Sequence, residues 1–470
     1  MEENTGTLRP RTAGRWEGER EPTGAYRVYV LALLSTTYLL NQLDRFMLSV
    51  VTRPMAQDIH YGDLGCVANN SRQKMHHTAC NATDKLACSA ITDARGSHLC
   101  AWNYTGQGME YQLLIGPIFI VVYTLSGILV SFAADQYSRK GFLVVSLMFW
   151  SLMTVLTAEV KTYWQLVLVR LGLGIGEAGC TPFATSLLAD YFDEGYRASA
   201  LGVYNWGIYV GFSLTYAIGN FVTDANLFGQ GWRWAFYISG WPGIFLAALI
   251  MYSLREPRRR TARQDGDVTY RKSVYSRGER LGWCERLGDI LQPFTQPSVL
   301  LLCLAGSVRN AAGYVWAYNT QLYYQSVGET TATIGSYMSW IPLLGGSIGV
   351  ILGGFISDRI VRRIGPRGRL IVLTISQVSA VPFVAGALYL DPPYAYLSLL
   401  PGYIIVLMTA FDHSGFHGGH SLRAALYVLY PGLYLLGAAL YFVTLIVLQW
   451  TLSRERHTGY TPINGSTSNT

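Results

Sequence analysis

Long apolar blocks, each of roughly 18–25 residues, leave this chain few ways to fold. Eleven can be drawn, over residues 28–51, 111–134, 141–158, 164–188, 198–222, 232–254, 296–321, 332–357, 369–390, 394–411 and 422–449. A helix of that length crosses about 30 Å of hydrocarbon at about 1.5 Å per residue. Lipid offers no water to an unpaired amide, so such blocks must pair their backbone internally, as helices do. The predicted class is an all-α polytopic membrane protein. Composition agrees, with 50% of 470 residues hydrophobic and 14% charged, against about a quarter charged in soluble domains. The net charge of +7 sits as arginines in loops, which implies no nucleic-acid partner. Residues 1–27 are a polar, arginine-rich tail. The block that follows is too long for a cleavable signal and reads as a retained anchor.

The loops predict which side is which. Arg9, Arg11, Arg15 and Arg20 precede the first block, and Arg139 and Lys140 follow the second. Arg255, Arg258, Arg259 and Arg260 follow the sixth, and Arg359, Arg362, Arg363, Arg367 and Arg369 the eighth. Alternating spans put all of them on one side, which the positive-inside rule makes cytoplasmic. Loop 52–110 falls on the other. It holds the sequons at Asn69, Asn81 and Asn103 and four of the seven cysteines, Cys66, Cys80, Cys88 and Cys100. Thiols beside sequons predict an oxidising, luminal or extracellular setting, glycosylation, and two disulfides of undetermined connectivity. A four-thiolate metal site is the weaker alternative, because the spacings are wide.

Segment 255–293 is polar and basic and divides the chain. The predicted organisation is a cytoplasmic tail (1–27), a six-helix half (28–254, carrying loop 52–110), the linker (255–293), a second helical half (294–449) and a tail (450–470). Two junctions repeat. SFAADQYSRK, 131–140, follows the second block, and GFISDRIVRR, 354–363, the eighth. Each ends a span with an acid and then basic residues. Such groups can cap helix termini or pair across a gap between halves, as a latch would.

These junctions resemble the G-x-x-x-D-R/K-x-G-R/K-R/K signature of the major facilitator superfamily, the first copy having Ser131, Gln136 and Ser138 at variant positions. LLNQLDRF, RLGLGIGEAG, ADYFDEGYRASALG and GWRWAF…LREP resemble its spinster-like branch. The resemblance covers about residues 35–400 and implies two pseudo-symmetric helical halves of six spans each. It also implies alternating access with substrate bound at mid-membrane. Asp135, Arg139, Asp358 and Arg359 are then candidates for gating.

Away from the span ends, the ionisable residues inside the blocks are few: Asp44, Arg45, Arg170, Glu177 and Arg309. A charge at the bilayer centre costs roughly 2.5–3.5 kcal/mol on insertion scales, so each needs a partner or a polar pathway. Arg170 and Glu177 lie on one helical face about 10 Å apart, too far to pair directly. Gly172, Gly174, Gly176 and Gly179 on that segment allow close helix approach. Glu177, between desolvation and cationic neighbours, suits proton coupling, and the resemblance points to the same residue. Asp44 shares that role or holds the arginines in place. Arg45, Arg170 and Arg309, with Asn310 and Tyr314 beside the last, are candidate substrate contacts. Trp316, Tyr318 and Asn319 follow them. A purely structural role in helix packing stays open for each charge.

Neither a cofactor nor a metal site is predicted. His413, His417 and His420 lie in a glycine-rich stretch without a helical face to gather them. The glycines of GLGIG follow no strand, so they are no nucleotide fingerprint. No nucleophile–base pair appears at membrane depth, so an enzyme is not expected. Eleven blocks against an implied twelve suggest that the end of span ten and span eleven are skipped, as in a spliced form. The tail adds a sorting-like YTPI at 460–463 and a sequon at Asn464, which favour opposite sides of the membrane.

The function this predicts is a secondary transporter of an anionic or amphiphilic organic solute, since arginines outnumber acids within the blocks. The resemblance suggests a lysolipid, sphingoid lipid or sugar-like solute, with a proton as partner, at a plasma or endosomal/lysosomal membrane. The alternative is a truncated relative that binds or regulates without transporting.

Overall fold

The computed structural model describes residues 22–68, 80, 82, 84–92, 96, 98–134, 138–192, 194–257, 297–364 and 367–404. The chain divides into two compact units. One comprises Met1–Gly278 with Thr330–Ser339, and the other Glu279–Glu329 with Trp340–Thr470.

In the first unit, α1 (Gly24–Ile59) starts on Thr23, whose side chain accepts a hydrogen bond from the Tyr26 amide. Its 36 residues extend over about 54 Å, more than a bilayer needs. The apolar block marks only its central part. The second block becomes α3 (Met109–Ile115), a π-turn (Pro117–Val121) and α4 (Val122–Ala134). Next come α5 (Arg139–Thr157), α6 (Tyr163–Glu177), α7 (Cys180–Tyr191) and α8 (Glu194–Tyr216). A second π-turn (Ala217–Val222), the short α9 (Thr223–Ala225) and α10 (Arg233–Ser253) complete the series. Helix α1 packs along α8, and α5 along α10 and α6. Two glycines make this closeness possible. A Cβ on Gly211 would stand 2.6 Å from the Leu39 carbonyl oxygen of α1, and one on Gly243 would stand 2.0 Å from Ser151 Oγ of α5.

The helix ends sort into two sets. At the arginine-rich end, the Tyr26 hydroxyl donates to the Ser253 carbonyl at 2.8 Å and accepts from the Arg255 amide at 2.9 Å. At the other end Asp58 accepts from Trp232 Nε1 (3.2 Å) and from Arg233 Nη2 (2.8 Å). Here an element that an all-α reading omits is added. Strands β1 (Leu64–Ala68) and β2 (Cys100–Tyr104) form an antiparallel hairpin, with α2 (Lys85–Ser89) between them in sequence. The cysteines pair as Cys66–Cys88 and Cys80–Cys100. Asn103 lies on β2 opposite Gly65, while Asn69 and Asn81 lie outside the described residues.

In the second unit, α11 (Pro297–Ser326) packs through its aromatic end. Tyr323 and Tyr324 donate to the carbonyls of Leu388 (2.5 Å) and Ala387 (3.2 Å) on α14 (Arg367–Tyr389). Tyr324 also stacks on Tyr396 of α15 (Tyr394–Ile404) with ring centroids 4.6 Å apart. The eighth block is not one helix, as 332–357 predicts, but two: α12 (Thr331–Met338) and α13 (Ile341–Ile364). Pro342 is the second residue of α13, where a missing N–H and a ring clash stop a helix from running through. Helix α12 belongs with the first unit and packs on its second π-turn. Residues 405–470, including the three histidines and the eleventh block, lie outside the described residues.

Candidate functional site

Inside the first unit, Arg45 of α1 meets Glu177 at the end of α6. Arg45 Nε donates to Glu177 Oε2 at 2.8 Å, and Nη2 stands 2.8 Å from the same oxygen. Glu177 is wholly buried and Arg45 is 4% exposed, so the pair is formed away from water. Arg45 Nη2 also donates to Asn41 Oδ1, one helical turn earlier, at 3.4 Å. Arg170 is buried on the same helix as Glu177, near enough for its charge to act on that carboxylate. The expectation that Arg170 and Glu177 take their partners from other elements holds for Glu177 through Arg45.

The π-turn of the second span supplies what sequence reasoning missed. Phe119 and Tyr123 project from it and from the start of α4, their rings stacked with centroids 5.9 Å apart. The Arg45 guanidinium lies 4.7 Å from the Tyr123 centroid and 5.4 Å from that of Phe119, and Arg170 lies 6.0 Å from Phe119. A cation over an aromatic face gains roughly 0.5–2 kcal/mol, more where water is excluded. One ring, that of Phe119, thus lies near both arginines. Gly174 makes room for this turn, since a Cβ there would stand 3.1 Å from the Phe119 carbonyl oxygen. The glycine run was legible; the aromatic partners were not, because a π-turn shifts which residues face inward.

Asp44 points elsewhere. Adjacent residues on a helix face directions about 100° apart, and Asp44 reaches α5 and α10, where Trp150, Thr154 and Ser239 surround it. It is 1% exposed, and neither carboxylate oxygen has a hydrogen-bond partner among the described residues. Asp44 therefore does not hold Arg45 by direct contact. It remains close enough to Glu177 for the two charges to interact.

At the arginine-rich end, Arg139 is a hub. Its Nη1 donates to Asp190 Oδ2 (2.5 Å) and Ser186 Oγ (3.0 Å), and its Nη2 to the Pro257 carbonyl (2.9 Å). Glu256 accepts from the Arg139 amide at 2.7 Å and from Ser138 Oγ at 2.6 Å. Asp190 and Glu256 belong to the quoted ADYFDEG and LREP stretches, so a signal for both existed. Asp135 and the side chain of Asp358 lie outside the described residues, and Arg359 is exposed on α13. Of the predicted contacts on α11, the side chains of Arg309 and Asn310 lie outside the described residues. Tyr314 stacks on Tyr318 at 5.9 Å.

The model of the Major Facilitator Superfamily matches residues 34–440. The chain belongs to that family. It is an integral, multi-pass membrane protein of a family of transporters, and spinster homologues are among the relatives it matches. It is 24% identical over 302 residues to "Protein spinster homolog 1" of Xenopus laevis, covering 63% of this chain and 55% of that one. It is 31% identical over 155 residues to the "Sphingosine-1-phosphate transporter SPNS2" of Danio rerio, covering 33% of this chain and 30% of that protein. The chain thus spans about half the length of the spinster relatives it matches. Among solved structures, a bacterial homologue of the human lysosomal transporter spinster, inward-facing and unoccupied, is similar with a TM-score of 0.56. It has 22% identity, covering 91% of this chain and 80% of that one. A D-xylose–proton symporter is similar with a TM-score of 0.55 at 14% identity, covering 89% of each chain.

Proposed function

We propose that this chain is a secondary active transporter of an anionic or amphiphilic organic solute, coupled to protons through Glu177. The observation that carries the reading is the buried Arg45–Glu177 pair with Arg170 beside it. Arg45 and Arg170 stand against Glu177 and Asp44, so a proton on one acid leaves one net positive charge in a low-dielectric interior, which a substrate anion can balance. A proton taken up by Glu177 removes its charge and frees the Arg45 guanidinium to bind that anion. Loss of the proton returns Arg45 to Glu177 and releases the anion. Asp44, near Glu177, shares the proton or sets the field in which Glu177 titrates. The Arg139 hub belongs to the cytoplasmic gate, with Asp135, Asp358 and Arg359 as its other candidates.

The relatives named for sphingosine-1-phosphate and for xylose with a proton support a lipid phosphate or a sugar-like solute. The test is uptake into proteoliposomes of labelled sphingosine-1-phosphate, a lysophospholipid and D-xylose, each across a range of pH. Flux of one of them that rises with an imposed proton gradient, and loses its pH dependence in Glu177→Gln, is expected. An unchanged pH dependence in that variant would sink the coupling role. No flux of any of the three, in protein shown to be folded, would leave a binding or regulatory membrane protein as the better reading.

A further inference from the structure

Three helices of the first unit enclose a carboxylate that the charge pair does not use. Asp44 of α1 is surrounded by Trp150 and Thr154 of α5 and Ser239 of α10, and all four are buried. Neither Asp44 oxygen has a hydrogen-bond partner among the described residues. Arg45, its neighbour in sequence, is taken by Glu177. A buried carboxylate without a counter-charge is costly, so something positive belongs beside it. The hydroxyls around it do not offset that cost. Thr154 Oγ1 donates its proton to the Trp150 carbonyl at 3.1 Å, and Ser239 Oγ donates to the Phe236 carbonyl at 3.3 Å. A hydroxyl has a single proton. With that proton spent on its own helix, each oxygen has only lone pairs left for Asp44.

Acceptors gathered round a carboxylate are the donor set of a cation. Ser151 Oγ, one turn before Thr154 on the same face of α5, is likewise buried without a hydrogen-bond partner. Trp150 Nε1, a donor with no acceptor of its own, can take one of the roughly four lone-pair sites of the carboxylate and leave the rest to an ion. The oxygens select the ion by charge and kind. One carboxylate balances one positive charge, whereas a divalent ion would leave an excess charge in the low-dielectric interior. Calcium sites gather more oxygens, carboxylates among them. Transition metals favour the imidazole and thiolate ligands that are absent from this set. Close packing of α5 on α10 favours a small ion, since a Cβ on Gly240 would stand 3.0 Å from the Val155 amide nitrogen.

We propose that Asp44, Thr154 and Ser239 form a binding site for a sodium ion, separate from the Arg45–Glu177 pair. This goes beyond the proton role of Glu177 and does not rest on it. Asp44 lies near enough to Glu177 for their charges to interact, so an ion here alters the field at the pair. The test is equilibrium binding of radiolabelled sodium ion to the full chain in lipid nanodiscs, at fixed pH and with choline chloride holding the ionic strength. Saturable binding is expected, displaced by unlabelled sodium, more weakly by potassium and not by choline. Asp44→Asn should abolish it. That variant should unfold at the same temperature as the wild type or higher without sodium, and gain nothing when sodium is added, while the wild type is stabilised. Thr154→Val and Ser239→Ala leave the carboxylate in place. Each should raise the half-saturating sodium concentration about tenfold, the loss of one contact between a charge and a hydroxyl. No saturable binding to folded wild-type protein would overturn the proposal, as would undiminished binding in Asp44→Asn. Wild-type affinity in both hydroxyl variants would also overturn it, because the ion would then lie elsewhere. Binding is read without solute flux, so any of these failures leaves the proton role of Glu177 as it stands.

Discussion

Arg45 and Glu177, 132 residues apart in sequence, meet at 2.8 Å with almost no exposure to water. The contact joins α1 to α6 and offsets two charges that neither helix could carry alone. Truncating one partner leaves the other charge buried and unpaired, a loss of about 3–5 kcal/mol. Arg45→Ala should therefore lower the unfolding temperature in detergent strongly. Adding Glu177→Ala to it should restore part of the loss. A double variant no more stable than Arg45→Ala would show that the pair contributes nothing through charge.

The placing of Phe119 and Tyr123 against the arginines depends on Gly174. A valine there would press methyl groups into the π-turn backbone, where even a Cβ stands 3.1 Å from the Phe119 oxygen and 3.4 Å from the Tyr123 nitrogen. Overpacking of this kind costs about 1–3 kcal/mol. Gly174→Val should lower thermal stability by that order, while Gly202→Val, where no atom crowds the Cβ position, should cost less. Equal losses at both positions would mean helix propensity, and not the π-turn, sets the effect.

The spans were legible because lipid demands long apolar helices, and the described helices fall where the blocks lie. The polar tips were not, since α1 runs past its apolar block at both ends and ends in contacts that apolarity does not encode. Glu177 and Arg45 were both singled out, yet their pairing was invisible in sequence. Periodicity orders residues within one helix and says nothing of the rotation of a second. For the same reason the adjacent Asp44 and Arg45 look like one site and face two. The break between α12 and α13 had a visible cause in Pro342, masked by the continuous apolarity around it.

Four cysteines permit three pairings, and the hairpin selects one. β1 and β2 pair with Ala68 opposite Cys100 and Cys66 opposite Trp102, while the two bridges tie Cys88 and Cys80 to this sheet. Non-reducing peptide mapping should recover Cys66–Cys88 and Cys80–Cys100. Loss of a native disulfide in a small module typically costs 2–5 kcal/mol. Cys66→Ser is thus expected to raise protease sensitivity in 60–108 while leaving the helical core resistant. Recovery of a Cys66–Cys80 or Cys66–Cys100 bridge from wild-type protein would contradict this fold of the loop.

Helix α12 sits against the second π-turn through a glycine. The Thr331 hydroxyl donates to Asp224 Oδ2 at 2.7 Å, and a Cβ on Gly335 would stand 3.0 Å from the Asn220 Cβ and 3.4 Å from the Phe221 ring. Leucine at 335 cannot fit without pushing the two apart, at about 1–3 kcal/mol. That weakens docking by a factor of about five to 150 in equilibrium terms, at about 1.4 kcal/mol per tenfold. Asn220 is 2% exposed beneath the contact, so a cysteine there reports on it. Asn220→Cys should react slowly with a membrane-impermeant maleimide applied from the hairpin side. With Gly335→Leu added, labelling should rise several-fold, and Asp224→Ala should raise it less, since it removes one exposed hydrogen bond and no packing. Identical rates in all three backgrounds would mean that α12 does not cover Asn220 in the membrane.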